Sequence, residues 1–187
     1  MNKIFLAFSV LLVLLGGCVP SPYYQQTFSI PNNSWDIKYS PKFSVEIEDT
    51  SSYYNSYLLL RHTNNYNYAN IWINILVKAP GDSVFTKTAV EIPLATPQGK
   101  WLGMGMGEIY EQRRMIVLNH QEIPITDELI AISAESINNI FRKKGRYEIR
   151  LEQNMRENSL SDILHVGLRV EKSSQRKIAA AKPKPLS

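Results

Sequence analysis

Cys18 is the only cysteine in the 187-residue chain, and its neighbours decide its chemistry. Leu15-Gly16-Gly17-Cys18 has the form of a lipobox, after which bacteria attach a diacylglycerol to the cysteine sulfur and cut on its amino side. Small residues at Gly16 and Gly17 let the peptidase come close to the backbone there. Met1-Asn2-Lys3 gives a short basic start and Ile4 to Leu15 an apolar run, so residues 1–17 read as a secretory signal too short to span a bilayer. The mature chain is then expected to begin at Cys18, held on a membrane by acyl chains that each contribute roughly 0.8 kcal/mol per buried methylene. A thiol used in this way leaves no disulfide inside the chain, so about 170 residues must be stabilised by a packed core.

Other reactive groups are sparse. His62, His120 and His165 have no histidine or free cysteine at metal-binding spacing, and neither a Gly-x-Ser-x-Gly elbow nor a plausible Cys-His pair is present. Glu46 and Glu48 share a strand face, as a carboxylate pair or as plain solvent-facing acids. Gly99-Lys100-Trp101-Leu102-Gly103-Met104-Gly105-Met106-Gly107-Glu108 holds four of the nine glycines. It is no phosphate loop, because its lysine precedes the turn and no Ser or Thr follows. Gly99, Gly103, Gly105 and Gly107 instead suggest positive φ or close passage of other backbone, with Trp101 and Leu102 pinning the loop to the body. Arg61 to Trp72 interleaves amides with aromatics; such a stretch either binds sugar by stacking or is an ordinary Asn-rich connection.

The elements that position these residues read as strands. Phe43, Val45 and Ile47 alternate with Ser44, Glu46 and Glu48, as do Ile71, Ile73, Ile75 and Val77 with Trp72, Asn74 and Lys78. Tyr147, Ile149 and Leu151 alternate with Arg146, Glu148, Arg150 and Glu152, and Leu164 to Val170 repeats the pattern. Leu58-Leu59-Leu60 is apolar on both faces and marks a central strand, Val84 to Ile92 is β-branched, and Pro80-Gly81-Asp82 marks a hairpin turn. The expected fold is all-β, an antiparallel β-sandwich of about seven to nine strands. Ile130, Ala134, Ile137 and Phe141 break the pattern at helical spacing, with Thr126 as cap, Arg142, Lys143 and Lys144 at the end and Gly145 as stop. One amphipathic helix is therefore expected over 127–143, inside a sandwich domain of 25–172 that follows a Pro-stiffened tether of 18–24.

The net charge of +4 belongs to the ends. Lys3 leaves with the signal, and residues 173–187 carry Arg176, Lys177, Lys182 and Lys184 with no acid, so sixteen of 21 basic residues remain against 17 acids. The body is near neutral, which speaks against nucleic acid as a partner, and the Lys/Ala/Pro-rich end has the composition of a disordered tail.

Together the motifs resemble one family. LRHTNNYNYANIW at 60–72 is similar to the LRNTxxYPYSNLWLF stretch of the gliding motility lipoprotein GldH family. PLATPQGKWLGMGMGEIY at 93–110 resembles its PLAxPxGKWLGxGxGDIY, GRYEIRLEQNMR at 145–156 its GKYTFEIEQxMR, and ILHVGLRVEK at 163–172 its IxDVGLRVEK. The resemblance covers roughly residues 20–172. It implies an outer-membrane lipoprotein of Bacteroidota, needed for gliding, acting beside other motility lipoproteins and the type IX secretion apparatus, with no enzymatic activity and no cofactor. Three features depart from the family: a long stretch at about 119–143, which reads the proposed helix as an insertion, Asn67 at a common proline position, and the basic tail. Surface-exposed lipoproteins of that phylum usually carry acids just after the cysteine; Val19-Pro20-Ser21-Pro22 has none, so the domain is expected to face the periplasm.

The contact residues expected on this basis are Arg61, Asn64, Tyr66, Tyr68 and Trp72 in one patch and Lys100, Trp101 and Glu108 in another, joined by Gln153, Met155 and Arg156. Aromatic and Arg side chains are the usual anchors of protein contacts. The alternative is a carbohydrate- or peptidoglycan-binding module, favoured if Tyr66, Tyr68 and Trp72 are exposed and coplanar and removed if they fold into the core. A metal-free hydrolase comes third and requires two carboxylates converging in one cleft.

Overall fold

The computed structural model of the protein describes residues 21–116 and 140–176. Cys18, His120 and residues 127–139 of the expected helix lie outside them. Among the described residues, eleven strands run in chain order: β1 Tyr24–Ser29, β2 Ser34–Asp36, β3 Lys42–Ile47, β4 Ser52–Thr63, β5 Asn70–Lys78, β6 Thr86–Pro93, β7 Met104–Met106, β8 Ile109–Met115, β9 Gly145–Gln153, β10 Ser159–Ser161 and β11 Ile163–Arg176. They form a five-stranded sheet in the order β1-β11-β4-β8-β7, a four-stranded sheet in the order β3-β9-β5-β6, and a two-stranded ribbon β10-β2. The pairings are antiparallel. The sandwich expected from alternation is the fold, with more strands than expected.

Period-two patterning does what it must in a two-layer structure. Phe43, Val45 and Ile47 of β3 point inward and their polar neighbours outward. β4 is the third of five strands, as the triple leucine suggests. It buries Tyr54, Ser56, Leu58, Leu60 and His62, while Leu59 sits half-buried on the outer face. Facing side chains join the layers: Phe28 of β1 meets Phe43 of β3 edge-on at 5.2 Å. Trp35 closes one end, with no exposed surface and its indole N–H donating to the Tyr39 carbonyl at 2.9 Å. The Pro80-Gly81 turn joins β5 to β6 as the sequence indicates, with Gly81 at φ 84° and Asp82 N–H returning to the Ala79 carbonyl at 3.0 Å.

Two boundaries differ from expectation. Residues 140–144 are not helical. Phe141 is instead a fully buried wedge, edge-on to Tyr54 of β4 at 5.8 Å and to Tyr147 of β9 at 5.0 Å. Its core contacts outweigh the helical spacing it shares with Ile137, and Gly145 opens β9 at φ 122° rather than stopping a helix. β11 also runs on to Arg176, which pairs with Ser52, four residues into the stretch read as tail.

Candidate contact site at one end of the sandwich

His62, near the end of β4, is the hub of this end. It is fully buried. Its Nδ1 lies 2.9 Å from the Thr63 carbonyl, which only accepts, so Nδ1 carries the proton. Nε2 is then an acceptor, and the Gln112 amide donates to it at 3.2 Å and to the Leu94 carbonyl at 3.0 Å. Burial pushes the imidazole below its usual pKa, against the Thr63 hydrogen bond, and keeps it neutral. The ring packs edge-on to Trp101 at 4.5 Å, stacks on Tyr110 at 5.8 Å and lies 5.6 Å from Tyr66. His62 is thus a core residue rather than a sheet-surface one, while His165 is half-buried on the outer face.

The glycine stretch is fixed to this hub. Gly99, at φ 81°, makes the turn that returns its N–H to the Thr96 carbonyl, and Ala95 bridges Trp101 beyond it. A Cβ on Gly103 would collide with the Glu111 backbone and the Gln112 side chain, and one on Gly105 would lie 2.7 Å from the Tyr110 ring. Both expected reasons for glycine therefore operate, and Gly107 at φ 65° turns β7 into β8. The Trp101 indole donates to Asn64 Oδ1 at 2.9 Å, and Asn64 N–H donates to the Glu108 carbonyl at 2.7 Å. Leu102 does not pin the loop as expected. Its side chain is 41 % exposed and only its N–H, bonded to the Leu94 carbonyl, holds.

The expected patches divide. Tyr66 is buried, its hydroxyl donating to the Asn70 carbonyl at 3.1 Å, so it packs rather than presents a ring. Half-buried Tyr68 meets Tyr66 at an interplanar angle of 66° and 5.6 Å. These two rings form no coplanar platform. Arg61 lies apart, on the outer face of the five-stranded sheet, paired with Glu111 at 2.9 Å. Lys100 and Glu108 are exposed at loop tips. Gln153 is buried too, and was expected as a contact: its side chain braces the next loop, donating to the Glu157 carbonyl at 2.8 Å and accepting from Met155 N–H at 2.9 Å. An amide buried and bonded at both ends presents no polar group at the surface for a partner.

What remains is a groove of about 360 Å³ lined by Tyr68, Trp72, Asn154, Met155, Arg156 and Glu157. Trp72 is 38 % exposed. Its backbone is held on both sides, Trp72 N–H on Met155 Sδ at 3.2 Å and Asn154 N–H on the Trp72 carbonyl at 2.8 Å. Removal from water raises the pKa of the Tyr68 phenol, and the charge of Glu157 and a hydrogen bond to it add to the rise. The groove offers a fixed aromatic face with a guanidinium and an amide beside it. Glu46 pairs with Arg146 at 3.5 Å, and among the described residues no three His, Cys, Asp or Glu side chains gather as a metal site.

The four stretches that carry the family resemblance meet through this network. Thr63 of the first also bonds Asp162 Oδ1, beside the fourth, at 2.6 Å. A family model described as GldH lipoprotein matches residues 22–129 and 130–170, two pieces that abut inside the stretch read as an insertion. The gliding motility lipoprotein GldH homolog of Christiangramia forsetii is 27% identical over 179 residues, spanning 89% of this chain and 97% of its own. The gliding motility lipoprotein GldH of Flavobacterium johnsoniae is 25% identical over 167 residues, 85% of this chain and 90% of its own. Among solved structures, a carbohydrate-binding module specific for non-crystalline cellulose aligns over 84% of this chain and 78% of its own, with 12% identity and a TM-score of 0.40. Motifs that pack against one another, and a family match along nearly all of the sandwich, place this chain in the GldH family of gliding motility lipoproteins.

Proposed function

We propose that the protein is a non-catalytic contact protein, anchored through a lipid on Cys18 in the outer membrane and facing the periplasm, which holds other lipoproteins of the motility machinery and through them the type IX secretion apparatus. The observation that carries this reading is the Trp72–Arg156 groove. Two of the family stretches build it, both sides of the Trp72 backbone are fixed, and it combines the side-chain types that anchor protein contacts. The test is deletion in the native host, scored for colony spreading and for release of a type IX cargo protein. The wild-type gene restores both, whereas Cys18→Ser and the double variant Trp72→Ala/Arg156→Ala, present at normal levels, do not. Normal spreading and secretion in the deletion strain overturn the reading.

A glycan-binding reading keeps one observation in its favour, the exposed Trp72 indole beside Asn154 and Arg156. An indole of that kind stacks on a sugar ring. Saturable quenching of tryptophan fluorescence by peptidoglycan fragments, lost in Trp72→Ala, would favour it; unchanged emission would remove it.

A further inference from the structure

The five-stranded sheet ends in a step. β7 pairs only with Ile109 to Glu111 of β8. Gln112 to Met115 are paired with β4 on one side, and among the described residues no strand covers their other side. Edges of this kind are usually guarded by charge or proline. The edges of the other sheet are guarded in that way: β3 carries Lys42 and Glu46, and β6 carries Lys87 and Glu91 and ends on Pro93. At the β7 edge the strand is Met-Gly-Met, with Met104 82 % and Met106 88 % exposed.

A groove of about 290 Å³ opens at the step. Leu59, Leu102 and Met104 give it an apolar floor, and Arg113, Arg114 and Arg169 stand round it. Acids do not balance these cations. Arg113 and Arg169 share the single Glu171 at 2.6 and 2.5 Å, and Glu111 is taken by Arg61. Among the described residues no carboxylate pairs with Arg114. Its Nε is buried without a hydrogen-bond partner, and only its terminal nitrogen donates, to Gln112 Oε1 at 3.1 Å.

We propose that this step takes a short extended segment of a partner protein, acidic and apolar at alternate positions, added as a strand to the open edge of β8. Backbone pairing with Gln112 to Met115 supplies the register. Alternate side chains of the added strand face opposite ways, so its carboxylates meet Arg114 on the inward side while its apolar side chains lie on Leu102 and Met104, beside Arg113, on the outer side. The cationic excess selects an acidic segment over a basic one. This surface is separate from the Trp72 groove and does not depend on it.

The test titrates the mature lipoprotein in detergent against a fluorescein-labelled, end-blocked hexapeptide of alternating Val and Asp, read by anisotropy, with the Val/Lys peptide as control. The expected result is saturable binding of the Asp peptide alone, weakened at least tenfold by Arg114→Glu and less by Arg114→Lys, with hydrogen-exchange protection gained at 112–115. Circular dichroism establishes that each variant is folded, and Met106→Glu tests the edge from the β7 side. Absence of binding at millimolar peptide, equal binding by Arg114→Glu, or protection gained elsewhere overturns the proposal. So does self-association in sedimentation that Arg114→Glu abolishes, which would assign the edge to a second copy.

Discussion

The indole N–H of Trp101 donates to the Asn64 side-chain oxygen at 2.9 Å, and this bond joins the glycine stretch to the Asn/Tyr connection. It adds a side-chain link to the backbone bond from Asn64 N–H to the Glu108 carbonyl, which ties the same two loops. Asn64→Ala is expected to cost about 1 kcal/mol, the net worth of a hydrogen bond with a partly exposed partner. Urea denaturation of the variant beside the wild type measures it, and an unchanged midpoint would show that packing and the backbone bonds hold the loops without the indole bond.

Alanine in place of the loop glycines should rank by what the new Cβ meets. At Gly103 it meets the Glu111 backbone, which cannot step aside; at Gly105 it meets the Tyr110 ring, which can shift. Gly107 has open space but a φ of 65°. Gly103→Ala is therefore expected to be the most destabilising, by roughly 2–3 kcal/mol or more, and Gly107→Ala the least, by about 1 kcal/mol. Thermal unfolding of the three variants gives the order directly.

Acid should loosen this end of the molecule through His62. Burial depresses its pKa in the folded state, so the unfolded chain binds the proton more readily. The resulting stability is complete above the unfolded value of about 6.5 and is lost as pH falls from there through the folded value. Denaturation midpoints at pH 7.5 and pH 5 are expected to differ more in the wild type than in His62→Asn. Equal slopes in the two proteins would remove His62 as the cause.

Phe141 makes the clearest test of the core. Phe141→Ala removes a wedge that touches aromatic rings from both sheets and is expected to cost about 3–5 kcal/mol, the range for a fully buried phenylalanine. Phe141→Leu fills most of the space and should cost less than half as much. A change under 1 kcal/mol for the alanine variant would show that residues 140–144 are not part of the cooperative core.

Strands whose side chains alternate were legible in the sequence. β3 and β9 bury the residues that period-two spacing assigns to the core; β5 and β11 do so except at Val77, which is half-buried, and at the start of β11, where a register shift buries Ile163 in place of Leu164, and the Pro80-Gly81 turn follows from its residue types. Short or glycine-rich strands gave no such signal. β2 and β10 have three residues each, and Met104-Gly105-Met106 reads as loop because its inward position has no side chain. Buried polar groups were hidden for another reason. Gln112 is inside because His62 and the Leu94 carbonyl, far off in the chain, satisfy it, and pairing at that distance leaves no local mark; Gln153 and His62 Nδ1 find partners within four residues, in bonds that only the folded backbone forms. Tyr66 was obscured in the same way by its asparagine neighbours. The glycines were the part of the candidate site most fully foreseen, since a missing Cβ can be met by no other residue and a positive φ by few.

The register of β1 also has a mechanical meaning. β1 begins at Tyr24, opposite Val170, and ends at Ser29, opposite His165, so it runs from the tethered end of the molecule toward the end that carries Trp101 and Trp72. If a partner is gripped at that far end, as proposed, tension between it and an N-terminal anchor acts along the strands. All the rungs from Tyr24 to Ser29 then share the load in shear, instead of opening one after another as they would if the strand were peeled from its side.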